Sequence, residues 1–361
     1  MKITIVAGAR PNFIKIAPII QAIKQAQSRT IHYHLVHTGQ HYDKMMSDTF
    51  FEELNIPLPD VNLNCASGTQ AEQTASIMIA FEKYLIDNPC DLVLVVGDVT
   101  STMACAIVAK KLCIKVAHVE AGIRSFDITM PEEINRMVTD SITDYFFTTS
   151  EFANTILKQQ GVKESQIFYV GNVMIDTLFA NLHRLKKPLF FDELRLKEKQ
   201  YLLLTLHRPN NVDNPEQLKL FLEEIVYNVC DLPVIFPVHP RTIKTFENIN
   251  LKTNNLYTTQ PMGYLEFLYL VKNAKCVITD SGGITEETTC LGIPCMTLRD
   301  NTERPETCTI GTNELIGTNP AAIKPALDKL FNDNWKKGSI PYLWDGHTAE
   351  RIINKLIELP W

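Results

Sequence analysis

With 361 residues, the chain exceeds one ordinary small domain, and two domains is the expectation. Hydrophobic residues make up 45% and charged residues 21%, which excludes a disordered chain and calls for a sizeable core. A net charge of −6 argues against a general nucleic-acid binder, although a local basic cluster can still meet an anionic ligand.

The opening MKITIVAGARPNF has an apolar run too short for an export signal and is interrupted by Arg10, so it reads as a first strand. HYHLVHT, DLVLVVGD, KVAHVE, YFFTTS and IFYVG follow as further strands. Between them NFIKIAPIIQAIKQAQ and MACAIVAKKLC repeat apolar residues at helical spacing. Several strands are continuously apolar, as in a parallel sheet covered on both faces, so the first half is a doubly wound α/β domain. At 183–200 charge density rises and the strand pattern stops. It restarts with YLLLTLHRP, PVIFPVHP, KCVITDSGG and IPCMTLRD, separated by helices such as NPEQLKLFLEEIV and MGYLEFLYLVKNA. TAERIINKLIEL is a last amphipathic helix that can pack on either domain. No apolar run is long enough to span a bilayer. The nine cysteines include no CxxC pair, so reduced thiols in a cytoplasmic protein are expected rather than disulfides or a zinc site.

Two α/β domains imply a cleft, and ligands of open parallel sheets bind beyond the carboxyl ends of the strands. GARPNFIK puts Arg10, Pro11 and Lys15 after the first strand, either an anion site at a helix N-terminus or a solvated basic turn. It is not the dinucleotide fingerprint GxGxxG, which weakens an NAD-binding reading. Asp98, after DLVLVVGD, is an acid or simply a helix cap. Glu120 ends a very apolar strand, where burial favours acid–base chemistry unless Arg124 neutralises it in a structural ion pair. Glu132 and Glu133 follow Pro131 in a first helical turn; Glu133 reads as a partner of the helix dipole, while Glu132 stays open. In the second half, His207 and Arg208 end a strand, with the imidazole serving as acid, base or phosphate donor, or as a structural histidine. His239 and Arg241 in PVHPRT form a weaker pair. TDSGGITEE leads a strand through Ser281, Gly282 and Gly283 into a helix, a place for a diphosphate or a plain chain reversal. Glu287 lies one turn on and can hold ribose hydroxyls, and Arg299 and Arg304 are cations for the same diphosphate.

GARPNFIK, TGQHYD, VVGDVTST, HVEAGIRS, MPEEINR, LHRPN, TDSGG and RDNTERPE, in this order, resemble the non-hydrolysing UDP-N-acetylglucosamine 2-epimerases over nearly the whole chain. The resemblance implies a GT-B architecture, two Rossmann-like doubly wound parallel-sheet domains with an interdomain cleft. It implies a first domain over 1–172 carrying catalytic carboxylates, a UDP-binding domain over 173–346, and a last helix, 347–361, packed back on the first. It implies a cytoplasmic homodimer that interconverts UDP-GlcNAc and UDP-ManNAc without NAD or metal, by elimination of UDP to 2-acetamidoglucal and re-addition. Asp98, Glu120 and Glu132 match the family's catalytic carboxylates and His207 its catalytic or phosphate-facing histidine. Arg10, Lys15, Phe267, Ser281, Gly282, Gly283, Glu287 and Arg304 match its UDP-sugar ligands. Met262 stands where some members have Gln, and HPRT differs from members activated by a second UDP-GlcNAc, so activation is not carried over.

Three enzymatic alternatives share much of this machinery. RSFDITMPEEINR and HPRT are shared in style with epimerases of UDP-2,3-diacetamido-glucuronate, whereas Arg304 and Pro305 favour UDP-GlcNAc. A hydrolysing epimerase would release free UDP. A GT-B glycosyltransferase would not turn over its donor alone, and three acids at first-domain strand ends exceed what it requires. A non-catalytic UDP-sugar-binding protein would tolerate loss of Glu120.

Overall fold

The computed structural model describes residues 1–26, 31–39, 51–65, 68–251 and 253–359. TGQHYD falls partly outside them, as does the side chain of Arg10. The chain divides into two compact units, Met1–Ala180 with Tyr342–Trp361, and Asn181–Pro341.

In the first unit the strands are β1 (Lys2–Ala7), β2 (His32–His37), β3 (Val61–Asn62), β4 (Leu92–Val96), β5 (Lys115–Val119), β6 (Tyr145–Thr148) and β7 (Ile167–Tyr169). They form one parallel sheet in the order β3-β2-β1-β4-β5-β6-β7. LVLVV of β4 is buried along its whole length, because the Arg10–Gln25 and Thr100–Lys111 helices cover the sheet with residues such as Ile16, Ile20, Ala104 and Val108. Each large aliphatic side chain so buried contributes roughly 1.5–3 kcal/mol relative to exposure.

The second unit repeats the design. β8 (Leu202–Thr205), β9 (Val234–Pro237), β10 (Leu256–Thr259), β11 (Cys276–Thr279), β12 (Cys295–Thr297) and β13 (Asn313–Leu315) make a parallel sheet ordered β10-β9-β8-β11-β12-β13. Leu202, Leu204, Phe221, Phe236, Ile278 and Leu327 anchor its core. In both sheets the chain reverses its direction of travel once, between β1 and β4 and between β8 and β11. These switch points open a crevice at the strands' carboxyl ends. The strands that composition does not reveal, β3, β10 and β13, are short sheet edges carrying polar residues such as Asn62, Thr258 and Glu314.

The Thr348–Glu358 helix belongs to the first unit and buries Ala349, Ile352, Ile353 and Leu356. Asp176, from the Val173–Asn181 helix, caps it by accepting the N–H groups of Thr348 at 3.1 Å and Ala349 at 2.6 Å. Trp344, fully buried just before it, donates Nε1–H to the Thr149 carbonyl at 3.0 Å. Burial pushes the Asp176 carboxyl up to about 6, against the opposing pull of the two N–H donors. Replacing Asp176 by Ala removes the cap and is expected to cost about 1 kcal/mol, read as a lower melting temperature. Because the folded-state value lies above the ordinary 3.8, the folded protein binds more protons between 3.8 and about 6. This group's stabilisation is therefore full below that window and lost as pH rises through it; melts across the window should show the slope flatten in Asp176→Asn.

Candidate functional site

The first constellation lies at the β1–β4 switch point and the adjoining end of β5. Asn12 fixes the loop after β1: its Oδ1 accepts the N–H groups of Gly8 and Ala9, and its Nδ2 donates to the Val96 carbonyl at 3.0 Å. Lys15, on the following helix, sets its ammonium 2.7 Å from Glu120 Oε2, and both side chains are buried. Glu120 occupies the left-handed region at φ 70°, which costs a non-glycine residue on the order of 1–2 kcal/mol. Such strain at a strand end carrying a buried carboxylate is characteristic of functional sites. Arg124 does not neutralise Glu120; it pairs with Asp140 Oδ2 at 2.7 Å instead. Gly97 makes room for the Lys15 head group, since a Cβ there would lie 2.8 Å from Nζ.

Asp98 is not a helix cap: Val99 holds that position, and the half-buried Asp98 carboxylate meets Arg136 Nη1 at 2.5 Å. Arg136 also donates to Glu133 through Nε at 2.9 Å and Nη2 at 2.7 Å. Glu133, in the helix's first turn, is buried and also fastens the loop, accepting the Ser125 N–H at 2.9 Å and hydroxyl at 3.0 Å. Burial would raise its carboxyl, but the Ser125 amide and Arg136 outweigh that and hold it below the ordinary range. Glu132, its neighbour in the first turn of the Pro131–Ile142 helix, is exposed. That helix is inverted: its buried residues are Glu133, Asn135, Arg136, Thr139 and Asp140, while Ile134 and Met137 face outward.

The second constellation lies at the β8–β11 switch point. Asp280, fully buried at the end of β11, accepts the N–H groups of His207 and Arg208 and Asn211 Nδ2–H, and lies 2.8 Å from His207 Nδ1. This holds His207 with Nδ1 directed inward and leaves its partly exposed ring to present Nε2. Ser281 precedes the Gly282–Leu291 helix. Neither Gly282 nor Gly283 has a positive φ, and a Cβ on Gly282 would meet only ordinary contacts, the nearest 3.6 Å away. A chain-reversal role therefore does not explain Gly282; an open approach to the helix N-terminus does. Arg299 is bound by Glu303 at 2.8 Å through both Nη1 and Nη2, and Arg304 is paired with buried Glu286. The cations nominated for a diphosphate are thus already matched within the unit. Glu287, buried, accepts the Tyr264 hydroxyl at 2.9 Å, and burial pushes its carboxyl up to about 7. Phe267 is half-buried on the Tyr264–Asn273 helix. His239 caps the Pro240–Phe246 helix, and Arg241 forms a surface pair with Asp213.

A family model described as UDP-N-acetylglucosamine 2-epimerase matches residues 22–357. The chain belongs to the UDP-N-acetylglucosamine 2-epimerase family. A UDP-N-acetylglucosamine 2-epimerase of Methanocaldococcus jannaschii is 46% identical over 369 residues, covering 99% of both chains. A UDP-2,3-diacetamido-2,3-dideoxy-D-glucuronate 2-epimerase of Pseudomonas aeruginosa is 41% identical, covering 99% of this chain and 100% of its own. A crystal structure of the M. jannaschii enzyme in complex with UDP-GlcNAc and UDP aligns with a TM-score of 0.88 at 44% identity, over 99% of each chain. The two-sheet architecture of this epimerase-family chain is the GT-B fold.

Sequence reasoning passed over Asn12, His118, Arg136, Asp140 and Asp280. Two signals were available: His118 interrupts an otherwise apolar strand, and Glu133, Arg136 and Asp140 recur at helical spacing on one face. Gly97→Ala should test the Lys15–Glu120 contact. Gly161 also has a positive φ, 85° against 66° at Gly97, but open space around it, so Gly161→Ala carries only the backbone strain, about 1–2 kcal/mol. Thermal melts should show Gly97→Ala to be the more destabilised of the two.

Proposed function

We propose that this chain interconverts UDP-N-acetylglucosamine and UDP-N-acetylmannosamine by eliminating UDP and adding it back. C2 of an N-acetyl sugar has no adjacent carbonyl to stabilise a carbanion, so its proton must leave together with a leaving group at C1. In the elimination the C2–H electron pair becomes the C1=C2 bond of 2-acetamidoglucal, and the C1–O pair departs with UDP. A proton then returns to the opposite face of C2 and UDP to C1, with no net oxidation or reduction. This needs a carboxylate base, a proton donor on the other face and a cradle for the diphosphate.

The observation that carries the reading is the buried Lys15–Glu120 contact at a strained strand end, in a chain 46% identical to a UDP-N-acetylglucosamine 2-epimerase. An ammonium in contact favours the charged carboxylate, the form a base requires. We assign Glu120, Asp98 and Glu132 to the proton transfers at C2. Arg10, Lys15 and Phe267 are assigned to the UDP-sugar. His207, held by Asp280, and the helix N-terminus at Ser281, Gly282 and Gly283 are assigned to the diphosphate, with Glu287 at the ribose and Arg304 supporting it through Glu286. Exclusion of water during the reaction protects the glucal and UDP from escape. The family resemblance supports a cytoplasmic homodimer. Among the described residues no helix is long and apolar enough to cross a membrane.

Proton NMR of UDP-GlcNAc incubated in D2O tests the reading. UDP-ManNAc should form with deuterium at C2 and without steady accumulation of free UDP. A folded protein that gives neither product nor exchange sinks the reading; turnover only of the diacetamido-glucuronate substrate, run alongside, would reassign it. Glu120→Gln should slow exchange by about 10²–10⁴-fold while retaining UDP binding.

A further inference from the structure

His118 is the polar interruption of β5, and its ring is fully buried. Its Nδ1 lies 2.7 Å from Asp140 Oδ1 and its Nε2 lies 2.8 Å from the Gly97 carbonyl oxygen. A carbonyl only accepts. Asp140 is ionised as well: burial would raise its carboxyl, but the charges of His118 and Arg124 outweigh that and hold it below the ordinary range. Each ring nitrogen thus faces an oxygen on a different element.

The two ends of this ring reach different elements. Gly97 is bonded to Asp98, the half-buried acid after β4. Asp140 sits in the same helix as Glu132, about two turns further on. Glu120 follows His118 by two residues, immediately past the end of β5. One imidazole thus touches, directly or through one partner, the three segments that carry the three acids. Asp140 adds a tie to the turn after Glu120 by accepting the Gly122 N–H at 3.0 Å. Beside Asp140 the helix borders a cavity of about 500 Å³ whose lining mixes polar and apolar residues, among them Met137, Ser141, Phe146, Gln160 and Val162.

We propose that His118 is a positioning residue for the epimerisation, a two-ended tie that fixes Asp98 and Glu132 relative to Glu120. The proposal rests on the epimerase reading. A histidine that merely satisfied the core would affect how much protein folds, but not how each folded molecule partitions the reaction.

The test compares wild type, His118→Phe and His118→Gln, which keeps one donor for the Gly97 carbonyl. The measurements are kcat and KM with UDP-GlcNAc, UDP affinity by calorimetry, melting temperature, and the ratio of released 2-acetamidoglucal to UDP-ManNAc. In His118→Phe, kcat per folded molecule should fall about 100-fold, with KM and UDP affinity within about threefold of wild type, as expected for misplacement of reacting groups. Glucal release should rise relative to product, and His118→Gln should recover part of the loss. Folded His118→Phe with kcat near wild type, or with lower kcat but an unchanged release ratio, overturns the proposal. If His118→Phe does not fold, His118→Gln is judged by the same two criteria. Failure of both to fold assigns His118 to stability and also overturns it. An inactive wild type sinks the epimerase reading and this proposal together, whereas an active wild type with an unimpaired variant sinks the proposal alone.

Discussion

The contact between Lys15 and Glu120 constrains everything around it in the first unit. Two buried charges 2.7 Å apart attract strongly, yet stripping them of water costs several kcal/mol per ion, so such a pair adds little net stability. Its surroundings are shaped to keep it all the same. Gly97 gives up a side chain beside the ammonium, Glu120 accepts a left-handed backbone, and Asn12 pins the loop from which the Lys15 helix starts. A chain selected for stability alone would fill this place with apolar groups. Retaining the pair accords with the proton-transfer role proposed for Glu120.

The same logic separates the arginines of the second unit from a phosphate grip. Arg299 and Arg304 arrive matched with Glu303 and Glu286, so their charges do not stand open to an incoming diphosphate. In the proposed grip the amide groups at the start of the Gly282–Leu291 helix and His207 meet the anion, while Arg208 is itself 3.6 Å from Glu303. Asp280 unites these, since one buried carboxylate accepts the backbone of both His207 and Arg208 immediately before Ser281. In the proposed reaction, a cradle of aligned dipoles and one imidazole held in place by Asp280 binds UDP, releases it and takes it back.

Much of this was legible in the sequence, for a physical reason. Strands covered on both faces are largely apolar, so β1, β4, β5, β8 and β11 announce themselves, and ligands of open parallel sheets bind just past such strands. The Pro131–Ile142 helix marks the limit. Its buried face is polar and its apolar residues point outward, so hydrophobic periodicity gives no clue to its interior partners. Which cation meets which acid is likewise set by three-dimensional neighbours: Glu120 finds Lys15, 105 residues away, rather than the nearby Arg124, and Asp98 finds Arg136 rather than a helix to cap. The edge strands β3, β10 and β13 escaped because few residues of low hydrophobicity suffice where only one neighbour must be paired.

If the C2 proton leaves together with UDP, as proposed, the bond between C1 and the diphosphate oxygen must break in every turnover. UDP-GlcNAc carrying oxygen-18 in that bridging position reports this directly. Once UDP is free to rotate, label should pass into the non-bridging oxygens of the β-phosphate in step with hydrogen exchange at C2. Label that stays in the bridge while C2 exchanges would show that the bond never breaks, and would contradict the account.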